Sequence, residues 1–248
     1  QQFKIDQSLL FYLPFLLDSI EEEKISNLPS FEERQHYITI GNFLHTPNYD
    51  AVLYLKQVIW PSIRKQLPKA ELHIYGSYPP PKATALNNPK TGFLIKGWAE
   101  NAYEVMQSAR VCLAPLRFGA GIKGKLLEAM IMQTPSVTTN IGSEGMHNEL
   151  PWPGKVANNT DDFANAAVEL YNNQAGFTHA QQAGNTLLNT LYDKVKLSAA
   201  LINKIDSISN DLKAHREKNF TGQMLKHHTM RSTQYMAQWI AEKNKKLD

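Results

Sequence analysis

At 248 residues, 42% of them hydrophobic and 20% charged, the chain is long enough for one large domain or two small ones, and too apolar and aromatic to be disordered. Thirteen glycines and thirteen prolines exclude collagen-like and low-complexity chains, and a single cysteine, Cys112, excludes a disulfide framework and an all-cysteine zinc site. The formal charge of +3 is too small to point to nucleic acid, although it is uneven: residues 211–248 carry a net +4 and the rest of the chain −1. Such a basic tail suits an acidic partner or is an ordinary solvated helix face.

Residues 1–30 read as a linker. Their apolar run, Leu9 to Leu17, is interrupted by Pro14 and falls short of the ~20 residues that span a bilayer. It has no basic leader and no small-residue cleavage site. The chain starts at Gln1, which suggests a fragment or a processed product. From Tyr37 the pattern changes. Tyr37 to Gly41 is a β-rich run closed by glycine. Val52, Leu55, Ile59, Ile63 and Leu67 then recur at helical spacing over residues 48–67, with Pro61 set to kink or divide the helix. Glu71 to Gly76 is a second strand, Phe93 to Gly97 a third, Val111 to Pro115 a fourth and Ser136 to Thr139 a fifth. Helical patterns separate them at residues 101–109 and 123–132. Residues 161–171 form a helix opened by acidic residues, as its dipole favours. Beyond Phe177 only helical patterns remain.

Strand–helix alternation with uninterrupted apolar strands predicts an α/β fold, a doubly wound, Rossmann-like parallel sheet over residues 31–210. Such sheets bind ligands at the carboxyl ends of their strands, where Gly41, Gly76 and Gly97 fall. Residues 211–248 form a helical tail in which Met224, Met230, Tyr235, Met236 and Trp239 lie among basic residues; Tyr235, Met236, Trp239 and Ile240 share one helical stripe. The tail is not expected to add a layer to the sheet.

The chemistry concentrates in Pro115-Leu116-Arg117-Phe118-Gly119-Ala120-Gly121-Ile122-Lys123-Gly124-Lys125-Leu126-Leu127-Glu128-Ala129-Met130. A strand end, a glycine-rich turn and a helix start follow one another. Free amides at a helix N-terminus attract anions, and Arg117, Lys123 and Lys125 add full charge, so the segment has the make-up of a diphosphate cradle. The Gly-Lys-Ser/Thr ending of a Walker loop is missing, and the glycine spacing is not that of a dinucleotide fingerprint. Glu128 suits the two hydroxyls of a ribose; a surface ion pair with Lys123 or Lys125 is the other reading of the same spacing. His45, His147, His227 and His228 fit no common zinc spacing, so no metal site is expected.

The segment Gly119 to Met130 resembles the nucleotide-binding motif of family 4 glycosyltransferases of the GT-B fold. The likeness runs on through Thr134-Pro135-Ser136-Val137-Thr138-Thr139 and Ile141-Gly142-Ser143-Glu144-Gly145, and covers roughly residues 35–175. It implies a retaining, hexosyl-type transfer from a nucleotide sugar of UDP, GDP or ADP type to an acceptor glycan, as in polysaccharide biosynthesis. It implies a cytoplasmic enzyme that needs no metal or other cofactor. The chain is similar to the C-terminal, donor-binding half of such enzymes. The tail from about residue 211 would cross back to an N-terminal GT-B domain absent from this sequence. That domain would hold most catalytic residues, leaving this chain inactive alone, and would carry any peripheral association with the inner membrane.

By the resemblance, Glu128 is the ribose-binding second glutamate of a paired motif, while the first glutamate is replaced by Ala120. Gly121, Ile122 and Lys123 would offer backbone donors to phosphate or sugar oxygens. After the first strand Asn42 stands where many members have Arg and Pro47 near the usual Lys, and Lys123 and Lys125 could supply the missing charge. Gly97-Trp98 matches the base-binding loop, with Trp98 either stacking on the base or packing at the sheet edge. Gly41 and Gly76-Ser77 would line the cleft. Two alternatives stay open: a nucleotide-sugar-binding module without catalysis, for which Ala120 argues, and, more weakly, a GT-B sugar epimerase.

Overall fold

The computed structural model describes residues 5–245, apart from the side chains of Glu22, Lys24 and residues 227–230; the readings made on His227, His228 and Met230 lie outside the described side chains. In chain order the elements are α1 (Glu22–Ser26), β1 (Gln35–Ile40), α2 (Thr46–Tyr54), a π-turn at Leu55–Ile59, α3 (Trp60–Gln66), β2 (Leu72–Tyr75), α4 (Pro81–Thr84), β3 (Phe93–Gly97), α5 (Ala102–Gln107), β4 (Ala109–Ala114), α6 (Gly124–Ile131), β5 (Ser136–Thr138), α7 (Asn140–Ser143), β6 (Gly154–Val156), α8 (Thr160–Asn172), α9 (Gln174–Leu191), α10 (Lys194–Asn210), α11 (Leu212–Lys218) and α12 (Phe220–Lys243).

The strands form one parallel sheet in the order β3-β2-β1-β4-β5-β6. Because side chains alternate across a strand, Tyr37 and Ile38 enter different cores. On one face Tyr37, Leu72, Val111 and Leu113 pack with Trp60, Phe93 and Phe163. On the other Ile38, Cys112 and Ala114 pack with Leu126, Met130, Leu187 and Tyr192. Burial on both faces explains why these strands read as continuous apolar runs.

Three details depart from the sequence reading. The helix after β1 is divided earlier than Pro61, by the π-turn at Leu55–Ile59. Proline has no N–H for the preceding turn, and a local widening accommodates its ring. A sixth strand, β6, pairs with β5 through Ser136↔Gly154 and Thr138↔Val156; three residues behind a proline carry no periodic signal. The segment after β5, for which the sequence reading gave no helix, opens with the short helix α7, where the Thr139 hydroxyl accepts from the Gly142 amide at 3.2 Å.

The chain's contacts divide it into two compact units, Pro14–Lys194 and the segments up to Leu13 and from Val195 on. The composition-based boundaries at 30 and 210 are not the ones these contacts follow. Residues 17–20 are strapped to the end of α9: Leu17 donates to Tyr192 O (2.8 Å) and accepts from Lys194 N (2.9 Å), and Ile20 N donates to Asn189 Oδ1 (3.0 Å). The tail belongs to the other unit, and within it Tyr235, Met236, Trp239 and Ile240 are exposed. No helix among the described residues is long and apolar enough to cross a membrane.

Arg34 fastens the amino end of the sheet. It is fully buried, and its guanidinium donates to Pro29 O (2.9 Å), Met132 O (2.9 Å) and Thr134 Oγ1 (2.8 Å). Desolvation lowers its pKa to about 10, so it stays charged at neutral pH. Hydrogen bonds to a charged donor contribute ~1.5–3 kcal/mol each, and stranding their acceptors costs more than deleting both partners. Arg34→Met is therefore expected to destabilise the protein by about 3 kcal/mol or more, read as a lower midpoint in urea unfolding with an unchanged slope.

Candidate functional site

In an open parallel sheet the crevice forms where the strand order reverses. Here that point lies between β1 and β4, neighbours in the sheet whose next partners lie on opposite sides. A cavity of about 400 Å³ opens there. Its walls come from the turn after β1 (Gly41, Asn42, His45, Pro47, Asn48), the turns after β2 and β3 (Gly76, Ser77, Trp98, Ala99), and the segment from Leu116 to Glu128.

Glycine is required where backbone crowds. A Cβ at Gly76 would lie 2.2 Å from the Gly41 carbonyl oxygen, and one at Gly41 would lie 2.7 Å from the Asn48 amide and 2.9 Å from Lys125 Nζ. The two strand ends crowd at Gly76, and the side-chain amide and the ammonium crowd at Gly41. Gly121 is needed for a different reason. Nothing lies within 4 Å of its Cβ position, but its φ of +73° is in the left-handed region.

The turn through Gly121 delivers the chain to the N-terminus of α6, whose cap, Lys123, makes no side-chain cap bond and whose first turn holds no acidic residue. The amides of this first turn and the helix dipole therefore face the cavity without an internal anion. Lys123 Nζ donates to Gly121 O at 2.6 Å. Lys125 Nζ donates to Asn48 Oδ1 at 2.7 Å, and desolvation lowers its pKa to about 8. Glu128, one turn further along α6, is half-buried; desolvation raises its pKa, and Lys125 opposes the rise. Among the described residues no ion pair joins Glu128 to Lys123 or Lys125, so the surface-ion-pair reading of their spacing does not describe this helix.

Of the residues singled out from the sequence, Gly41, Asn42, Gly76, Trp98, Ala120, Ile122, Lys123, Lys125 and Glu128 line the cavity together. Gly97, Gly121 and Arg117 do not. Gly97 sits opposite Tyr75 after a register shift and accepts from Gly76 N at 2.7 Å, shaping the wall from behind. Arg117 is a correction: its guanidinium turns to Asp50, with Nε–Oδ2 2.9 Å and Nη2–Oδ1 2.5 Å, and lies over the Tyr54 ring at 4.9 Å. A planar fork matched by a carboxylate and an aromatic face on α2 outcompetes an open cavity. Trp98 is 71% exposed, which excludes the reading as an edge-packing residue. The sequence reading gave no cleft role to Asn48, His45 or Phe118; Ser77, expected at the cleft beside Gly76, lines it. Asn48 sits in the first turn of a helix, where asparagine is ordinary, and only the tertiary contact with Lys125 marks it. No group of three or more His, Cys, Asp or Glu among the described residues is arranged to hold a metal ion.

Comparison with known proteins bears on this geometry. The family described as "Glycosyl transferases group 1" matches residues 34–173. No curated protein matches the chain in sequence. Among solved structures, the Staphylococcus aureus TarM variant in complex with fondaparinux, α-GlcNAc-glycerol and UDP is similar over 82% of this chain and 40% of its own, at 19% identity and a TM-score of 0.64. The pneumococcal O-GlcNAc transferase GtfA in complex with UDP and GlcNAc is similar over 80% of this chain and 39% of its own, at 16% identity and a TM-score of 0.53. Anabaena HepE in complex with UDP and glucose matches over 77% of this chain and 55% of its own, at 12% identity and a TM-score of 0.56. At these identities the likeness establishes the fold, and the chain spans about 40% of the length of TarM.

The lowered Lys125 pKa has a thermodynamic consequence. The folded value, about 8, lies below the ordinary 10.5, so between these pH values the unfolded chain binds more protons than the folded one. This group therefore makes stability rise with pH over that window. In Lys125→Met the pH 8 to 10.5 part of the stability profile is expected to flatten relative to wild type, measured by urea unfolding at stepped pH.

Proposed function

The chain belongs to the glycosyl transferases group 1, and on that footing we propose that the cavity at the β1/β4 crevice binds the nucleoside diphosphate of a sugar donor, making the sheet-bearing part of the chain, expected from the sequence at residues 31–210 and bounded by its contacts at Pro14–Lys194, the donor-binding domain of a retaining family 4 glycosyltransferase. The observation that carries this is the convergence of Lys125, Lys123 and the open N-terminus of α6 on one wall of a cavity that also presents Glu128. The diphosphate would lie against the first-turn amides of α6 and the Lys125 ammonium, a charge-assisted arrangement. Glu128, one turn beyond Lys125, would accept from the ribose hydroxyls, and the exposed Trp98 would stack on the base. Charge for the diphosphate comes in this reading from Lys125, Lys123 and the helix; no metal is assigned a part.

UDP is the first candidate nucleotide, because TarM, GtfA and HepE were each solved with it; GDP and ADP donors are the other arms of the test. The sugar would be a hexose and the acceptor a glycan, in the cytoplasm, with acceptor and most catalytic groups on an N-terminal domain to which the basic tail returns. A second reading, a nucleotide-sugar-binding module without catalysis, draws on Ala120, which places a methyl on the cavity wall where the family's first glutamate stands.

Calorimetric titration with UDP, GDP and ADP tests the assignment. Glu128→Ala is expected to weaken binding about 5- to 150-fold, the equivalent of ~1–3 kcal/mol for a lost hydrogen-bonding partner, with the melting temperature little changed. Affinity in the wild type is expected to fall as pH rises through about 8, where Lys125 gives up its charge. Normal binding by Glu128→Ala, Lys125→Ala and Gly121→Val alike would reduce this segment to an ordinary helix start.

A further inference from the structure

Asn48 contacts the most deeply placed cation of the cavity, and its chemistry is unexpected for that position. Lys125 Nζ donates to Asn48 Oδ1 at 2.7 Å, while Asn48 Nδ2 donates to Asn42 O at 2.9 Å. The second bond fixes the first: with the amide turned over, two donors would face each other at Lys125 and two acceptors at Asn42. The Asn48 main-chain amide is also held, donating to His45 O at 2.9 Å. The pair lies over Gly41 in the space a side chain would need, since a Cβ there would come within 2.7 Å of the Asn48 amide and 2.9 Å of Lys125 Nζ. The ammonium is thus aimed by a rigid acceptor that carries no charge. Buried cations are ordinarily paired with an anion or lose their proton. The titratable groups acting on Lys125 are Glu128 on its own helix and the Cys112 thiol from β4; His45 and Lys123 share the cavity.

We propose that Asn48 is a positioning residue, which aims the Lys125 ammonium into the cavity and leaves its charge uncancelled for an anionic ligand. The proposal rests on the reading of the cavity as a diphosphate site and adds what keeps that site cationic. A carboxylate at position 48 would occupy the same volume, accept the same bond and cancel the charge. It would also withdraw the donor that Asn48 Nδ2 offers the Asn42 carbonyl, leaving that oxygen only the bond from His45 N. The neutral amide performs the positioning alone, at the cost of a lysine whose proton is held less firmly than in water.

The test compares Asn48→Asp and Asn48→Ala with wild type, using pyrophosphate and UDP as probes and an NMR titration of the Lys125 side chain in the free protein. In Asn48→Asp the Lys125 titration is expected to move up toward that of a surface lysine. Affinity for both probes at pH 7 should fall about 10- to 100-fold, and its decline above pH 8 should move to higher pH with the titration. Asn48→Ala removes the aim and keeps the charge free. It should bind about 3- to 10-fold more weakly with the pH of the decline not raised, a split that general loss of structure does not produce. If Asn48→Asp binds both probes as wild type does, or Lys125 titrates unchanged in it, the proposal is overturned, while Lys125→Met losing affinity would leave the diphosphate site standing. If wild type binds neither probe, the site assignment and the proposal fall together.

Discussion

A cation held against a neutral partner is the constraint on which the site depends. The Lys125 ammonium lies where a side chain at position 41 would be, and the strand end at Gly41 is itself approached closely by Gly76. The ammonium cannot hold its direction without an acceptor, and the acceptor must not neutralise it. Desolvation then lowers its pKa to about 8. A ligand anion would reverse that cost by restoring to the ammonium what water had supplied. This desolvated ammonium lines the cavity, where an anion can relieve the cost of its burial.

The sheet makes this arrangement available. Parallel strands send every carboxyl end to one edge, and the reversal of order between β1 and β4 leaves a gap that no crossover helix fills. The opposite edge is closed. There Arg34 is buried without a carboxylate, its charge distributed over carbonyl and hydroxyl oxygens of the segments leading into β1 and following α6. The same α6 that opens its N-terminus to the cavity is therefore fixed at its far end, by Arg34 through Met132 and Thr134. Arg34 donates to oxygens of three residues at 2.9 Å or less, whereas the hydrogen bond described for Lys125 ends on a single neutral amide. In the donor-site reading, the remaining capacity of that ammonium is what a ligand anion would take up.

Much of the site was legible in the sequence because it is local. Gly119 to Glu128 is a single stretch in which turn, helix start, cations and carboxylate follow in order, and helical spacing alone puts Lys125 and Glu128 on one face. Arg117 misled for the same reason: proximity in sequence placed it in the cradle, whereas a carboxylate and an aromatic ring on α2, more than sixty residues earlier, claimed its guanidinium. Asn48 was invisible, since its significance lies in a contact 77 residues away. The strand β6 was missed because an edge of three residues has too little length to display a period.

The sequence by itself determined the fold class, the order of the first five strands, and the segment where anion chemistry could reside. These are encoded in apolar runs, glycine stops and helix starts, and such signals need only neighbours along the chain. Which cations stay free, which glycines are obligatory, and which residues converge at the crevice were decided by tertiary structure. These properties depend on what approaches from other elements: an amide from α2 against Lys125, a carboxylate from α2 against Arg117, a strand end against Gly76. Charge is written in the sequence, but whether a charge is spent or available is set by the partners that folding brings to it.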